Sequence, residues 1–214
     1  MALVNANYEF IYADIGSNGR ISDGGVWRDC SLNLKLEKQE LAIPNDQLLP
    51  NSSIIAPYVF VADDAFPLKQ NILKPYPHRS QTKSEIIFNY RLSRARRTVE
   101  NAFGILANRF RVLLTPINLS PSKVESITLT CIVLHNFLRI KYPSEYISRT
   151  CIDQENLENG EVCPGSWRRE ETLGNINSTH GGRNSDAGKA VRKLMESYFM
   201  NEGKVCWQDK RAVM

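Results

Sequence analysis

The sequence predicts an α/β domain in which a mixed sheet is flanked by helices. Three observations carry that reading: β-rich runs open the chain, the apolar run 58–62 ends in two carboxylates, and later segments repeat apolar residues at helical spacing. With 214 residues and 42% hydrophobic content, the chain can bury one substantial core but is short for two full domains. No apolar run approaches the roughly 18 positions of a membrane helix, and the N-terminus lacks the basic and apolar regions of a secretory signal. Membrane and secreted readings are therefore set aside. Five scattered cysteines without a CxxC pair predict a reduced intracellular protein with no zinc site.

Ala2 to Val4 and Tyr8 to Ala13 read as strands joined by a tight turn at Asn5-Ala-Asn7. Gly16-Ser-Asn-Gly19 is a second turn signal, after which Arg20 to Ser22 is expected to pair back as the third strand of a meander. Ser22 or Asp23 is placed to cap one helix from about Gly25 to Lys38, and Pro44 to Ser53 has loop composition. Tyr58-Val-Phe-Val-Ala62, bounded by Pro57 and by Asp63-Asp64, reads as a buried strand, and Pro67, Pro75 and Pro77 make the next stretch irregular.

From about Ser84, Val99, Phe103, Leu106, Phe110 and Leu113 form one buried helical stripe that Pro116 closes. Ser122 caps a further helix to about Lys141, with the stripe Val124, Ile127, Cys131, Leu134 and Leu138. Residues 143–185 combine Gly, Asn, Ser, Thr and Glu with few aliphatics, too few to offset the entropy of ordering, and are expected to be a flexible acidic linker. Residues 186–214 return to helical spacing through Val191, Leu194, Tyr198 and Phe199 and are expected to dock on the core formed by residues 1–142. Trp207 is expected to anchor that tail, and His135 to be packed or hydrogen-bonded.

Charge is unevenly distributed. Between Arg79 and Arg111 eight basic residues face two acids, a local +6 within a chain whose net charge is +4. Seven of the eight are arginines, whose planar fork suits bidentate phosphate contact, although a solvated basic face is the alternative. Arg91, Arg94, Arg96, Arg97, Arg109 and Arg111 are the candidate DNA contacts. From Glu145 to Glu171 the balance reverses, with seven acids against three arginines.

Carboxylates at a strand end and an isolated Glu100 among arginines suit a ribonuclease H-like fold, one candidate among several α+β folds on pattern alone. The local strings sharpen this. Phe60-Val-Ala-Asp-Asp-Ala-Phe-Pro-Leu68, Phe88-Asn-Tyr-Arg-Leu-Ser-Arg-Ala-Arg-Arg-Thr-Val-Glu-Asn-Ala-Phe-Gly104, Arg109-Phe-Arg-Val-Leu113 and Leu134-His-Asn-Phe137 resemble the Harbinger-type transposases of the DDE superfamily of endonucleases. Asp14-Ile-Gly16, Gly19-Arg-Ile-Ser-Asp-Gly-Gly25 and Gly203-Lys-Val-Cys-Trp-Gln208 are similar to that family too.

The resemblance implies a ribonuclease H-like DDE nuclease fold and two-metal phosphodiester hydrolysis by Mg²⁺ or Mn²⁺, with DNA as substrate. It implies nuclear residence with the cytoplasm as a second compartment, a separate DNA-binding partner protein, and homo-oligomer formation. The family's second acid falls on Asp63 and its third on Glu100; read without the resemblance, Asp63 begins a turn and Glu100 pairs with Arg96 or Arg97 one helical turn earlier. The first acid position falls on Asn5, whose neutral amide can coordinate but removes a negative charge from the site. Asp14 is a weaker metal candidate, because it lies roughly 17 Å beyond the level of Asn5 at about 3.3 Å per residue. The triad is therefore expected to be degenerate, which leaves a catalytically inactive DNA-binding or protein-interaction module as the alternative function. Family members carry a helical DNA-binding region and more sheet before this point. The chain is accordingly expected to be a truncated copy or a short gene model, with its N-terminal strand incomplete.

Overall fold

The computed structural model describes residues 1–18, 21–169 and 184–212. They fall into two compact units: Met1–Ile21, Arg97–Leu157 and Glu161–Asn177 form the first, and Ser22–Arg96, Glu158–Gly160 and Ser178–Met214 the second. No helix among the described residues is long and apolar enough to cross a membrane.

In the first unit, β1 (Ala2–Val4) and β2 (Phe10–Ala13) pair antiparallel, with Ala2 opposite Ala13, Leu3 opposite Tyr12, and a bulge before Val4. The expected third strand is not formed at Ile21 and Ser22, while Arg20 lies outside the described residues. A helix takes its place beside β2. The Asn136 side chain accepts from the Phe10 N–H at 2.9 Å and donates to the Phe10 carbonyl at 2.8 Å, as a neighbouring strand would.

That helix, α4 (Pro121–Lys141), starts at Ser120 with Pro121 in its first turn, two residues before the expected cap Ser122. Its buried side packs Cys131 and Ile132 against Phe10, Ala102 and Leu106, with Phe103, Phe110, Leu113 and Ile127 around them. Leu134, expected within this stripe, is exposed.

The segment expected to be a flexible linker is in part ordered. Residues 143–169 contain α5 (Pro143–Tyr146), the antiparallel pair β7 (Gln154–Glu155) and β8 (Val162–Cys163), and a 3₁₀ turn over Ser166–Arg169. Aromatic anchors make up for the few aliphatics: Tyr146 and Trp167 are buried, along with Ile147, and the Trp167 indole N–H donates to Asn101 Oδ1 at 2.7 Å. Residues 170–183 of that segment lie outside the described residues.

In the second unit the single expected helix is two. Ser22 caps α1 (Asp23–Asp29), and extended Cys30 both ends α1 and caps α2 (Ser31–Glu37), its sulfur accepting the Asn33 N–H. The expected loop 44–53 contributes to a short hairpin, β3 (Gln47–Leu48) with β4 (Ile55–Ala56). The run 58–62 narrows to β5 (Phe60–Val61), parallel to β6 (Ile72–Leu73), which arises within the stretch expected to be irregular. It is not a buried strand, since Tyr58 and Val61 are exposed. Short two-stranded sheets thus stand where one mixed sheet was expected, four of them among the described residues.

Helix α3 (Lys83–Arg109) contributes its first half to the second unit and its second half to the first. Thr82 and Glu85 cap it reciprocally: Glu85 Oε2 accepts the Thr82 N–H at 2.8 Å, and Thr82 Oγ1 accepts the Glu85 N–H at 3.3 Å. Its Phe88 and Leu92 pack with Leu68, Leu73 and Val191, the last from α6 (Asp186–Met200). Trp207 is buried near the start of α7 (Gln208–Arg211), with the Arg94 guanidinium 4.1 Å over its ring.

Candidate functional site

Asn5 and Glu100 belong to the first unit and Asp63 to the second. Each is held by its immediate surroundings in a way that decides what its oxygens can do.

Asn5 opens the turn between β1 and β2. Its Oδ1 accepts two backbone N–H groups, from Asn7 at 2.9 Å and Glu9 at 3.1 Å, while its Nδ2 donates to Glu9 Oε2 at 2.7 Å. Both lone pairs of the amide oxygen are therefore occupied. Asp14 stands at the opposite end of the hairpin, where its N–H donates to the Met1 carbonyl at 2.8 Å. Register thus separates Asp14 from Asn5, as the strand arithmetic implied.

Side chains from about one turn of α4 hold the Asn5 turn. His135 Nε2 donates to the Tyr8 carbonyl at 2.8 Å, Asn136 brackets Phe10, and Arg139 Nε donates to the Asn7 carbonyl at 2.8 Å. The other ring nitrogen of His135 accepts the Tyr146 hydroxyl at 2.8 Å. Burial, outweighing the Tyr8 carbonyl, holds the imidazole pKa below its usual value, and burial pushes the Tyr146 phenol up to about 12. His135 and Asn136 of the string Leu134-His-Asn-Phe137 thus hold the hairpin turn, and the histidine, expected to be packed or hydrogen-bonded, is both.

Asp63 lies two residues beyond β5 and begins a turn. Its Oδ1 accepts the Ala65 N–H at 2.9 Å, its carbonyl accepts from Phe66, and Arg96 Nη2 lies 3.6 Å from Oδ2. Next to it the buried Lys74 reaches Asp64, with Nζ 3.1 Å from the carbonyl and 3.4 Å from Oδ1. Sequence reasoning missed Lys74 altogether, because its partner lies across the β5–β6 ladder.

Glu100 is paired neither with Arg96 nor with Arg97. Its Oε2 accepts from Arg168 Nη2 at 3.0 Å, and the same nitrogen lies 2.7 Å from Asp153 Oδ2. Arg168 Nε completes a fork on Asp153, whose Oδ1 also accepts the Gly165 N–H. Burial raises the Asp153 carboxyl, but these bonds and the nearby Arg97 charge outweigh it and leave its pKa below the usual range. One guanidinium is thus shared between two carboxylates, so the cluster keeps a net negative charge.

The candidate arginines differ in what they offer. Arg91 donates to the Gly203 carbonyl and Gln208 Oε1, and Arg94, nearly fully buried, donates to Tyr90 and the Gly160 carbonyl. Both are placed for packing rather than for phosphate. Arg96 and Arg97 are half-buried, and Arg109 and Arg111 are exposed, with Arg109 donating to the Tyr146 carbonyl.

Residues 1–136, more than half of the chain, match the family described as DDE superfamily endonuclease. The chain belongs to that superfamily. No curated protein and no solved structure matches it. Membership suggests a transposase-derived nuclease domain with DNA as the substrate class, and DDE endonucleases generally use divalent metal ions. The matched region ends before Asp153 and Arg168, so the residues that engage Glu100 come from outside it.

The donor set does not fit a pair of hard cations as it stands. Among the described residues of either unit, no three His, Cys, Asp or Glu side chains are grouped to hold a metal. Asn5 is neutral with its oxygen occupied, and Asp63 and Glu100 each face a guanidinium.

Proposed function

We propose that this DDE domain is a Harbinger-type, transposase-derived module of ribonuclease H-like architecture that binds DNA in the nucleus, with phosphodiester cleavage impaired at the first acid position. The observation that carries this reading is Asn5. An amide there supplies no charge, and its oxygen already closes the turn on Asn7 and Glu9. Arg168 adds to the impairment by pairing with Glu100 from a segment outside the family match. Arg96, Arg97, Arg109 and Arg111 are the phosphate contacts in this reading, and Asp63 and Glu100 are the retained acids.

A second reading is favoured by that retention. A chain that keeps both acids of the family's string can act as a metal-dependent endonuclease, with Mg²⁺ or Mn²⁺ held by Asp63 and Glu100 once Arg168 moves aside. A separate DNA-binding protein would then supply the target sequence.

Plasmid nicking in Mn²⁺ separates the two. Wild type is expected to bind plasmid without nicking it, and Asn5→Asp combined with Arg168→Ala to nick it in a manner that Glu100→Gln abolishes. Wild-type nicking that is lost in Glu100→Gln would overturn the impairment, and failure to bind DNA would overturn the reading as a whole. A second readout needs no activity. Asn5→Asp sets a carboxylate beside Glu9, so Mn²⁺ should raise the melting temperature of that variant and leave wild type unmoved.

A further inference from the structure

Helix α4 is apolar on both sides, and among the described residues only one side is covered. Cys131, Ile132 and His135 are buried, whereas Leu129, Val133, Leu134, Phe137 and Ile140 are 44, 64, 43, 50 and 64% exposed. Leu129, Val133, Phe137 and Ile140 follow one another at intervals of four, four and three residues, a straight stripe about 17 Å long at 1.5 Å per residue. Charged side chains do not interrupt it. The hydroxyls beside it bond back to their own helix, Ser126 to the Ser122 carbonyl at 2.9 Å and Thr130 to the Ser126 carbonyl at 2.7 Å. Covering the stripe would therefore strand no polar group among them.

We propose that this face pairs with the same face of a second copy of the chain, the two α4 helices running antiparallel about a two-fold axis. The spacing is self-complementary. An axis near position 135 sets Leu129 against Ile140 of the second copy and Val133 against Phe137 of the second copy, as an isologous contact requires. The five side chains expose on the order of 500 Å² per copy, so a pairing that covers all of them buries about 1,000 Å² in total, the lower bound of a specific interface. A contact of that size forms a reversible dimer rather than an obligate one. The pairing is independent of whether the domain cleaves DNA.

Sedimentation of the full chain tests this, over about 10 to 100 μM. Wild type should show a reversible monomer–dimer equilibrium. Val133→Glu with Phe137→Glu should raise the dimer dissociation constant by roughly a hundredfold or more while leaving helix content unchanged. Ile55→Glu, an equally exposed apolar site in the other unit, should leave the equilibrium as it is. Should the double glutamate variant misfold, Val133→Cys with Phe137→Cys provides the second measurement: oxidation should give a covalent dimer beyond any that wild type forms through its own cysteines. A wild-type chain that stays monomeric throughout, or a dimer that ignores the glutamates and yields no added cross-link, overturns the proposal.

Discussion

His135 is where a single side chain sets the behaviour of the hairpin. Carbonyl oxygens only accept, so Nε2 carries the proton that faces Tyr8, and Nδ1 is left to accept the Tyr146 hydroxyl. A second ring proton would have to displace that hydroxyl inside the core. In the unfolded chain the ring protonates near pH 6.5, whereas burial keeps the folded value lower. Between those two values the unfolded state binds more protons, so stability is complete above the unfolded pKa and is lost as pH falls toward the folded one. The melting temperature should therefore drop by several degrees between about pH 7.5 and pH 5.5, and His135→Gln should flatten that part of the profile. A wild-type profile already flat over this range would show that the ring is not held neutral by the fold. The turn that Asn5 opens, at the other end of these contacts, was legible from the sequence. That the Asn5 oxygen closes the turn was not, because the turn's geometry depends on α4.

Elements follow the same division between local and distant causes. The starts and ends of α3, α4 and α6 were readable to within a few residues, because capping side chains and apolar periodicity act within a few turns of helix: Thr82 with Glu85, Pro121, and Ser185 accepting the Gly188 N–H. The break at Cys30, the shrinkage of the 58–62 run to two paired residues, and the ordering of 143–169 were not readable. The last two depend on partners elsewhere in the chain and the first on the sulfur cap that Cys30 offers the Asn33 N–H, and an acidic, aliphatic-poor segment gave no sign that one tryptophan would hold it. Gly104 is the reason Trp167 can. The indole lies on α3 where a methyl group at 104 would overlap the ring, and it is fixed there by Asn101. Gly104→Ala should gain up to about 1 kcal/mol of helix propensity yet lose more by expelling the ring, a net cost of about 1–3 kcal/mol in urea denaturation. Limited proteolysis should then open sites between residues 147 and 169. A variant more stable than wild type, with that segment still resistant, would mean that Trp167 does not need the space at Gly104.

For the whole molecule, the decisive quantity is how much of the basic charge on α3 is available to DNA. A window of +6 overstates it, since Arg91 and Arg94 serve the packing of the second unit, where Arg94 covers Trp207 and donates to Gly160. Charge that is tied into a core still adds to the long-range field but makes no phosphate contact and releases no counterion of its own. The two classes of arginine should therefore separate in a salt titration of DNA affinity. Each lost phosphate contact lowers the slope of log affinity against log salt by about 0.9 on duplex DNA, so Arg96→Ala with Arg111→Ala should reduce it by roughly 2. Arg94→Ala should leave the slope unchanged and cost stability instead, about 2–4 kcal/mol, for the lost cation–π contact and the unsatisfied Gly160 carbonyl. If Arg94→Ala flattens the slope as much as the paired substitution, α3 meets DNA through all of its arginines, and the buried one must leave Trp207 to do so.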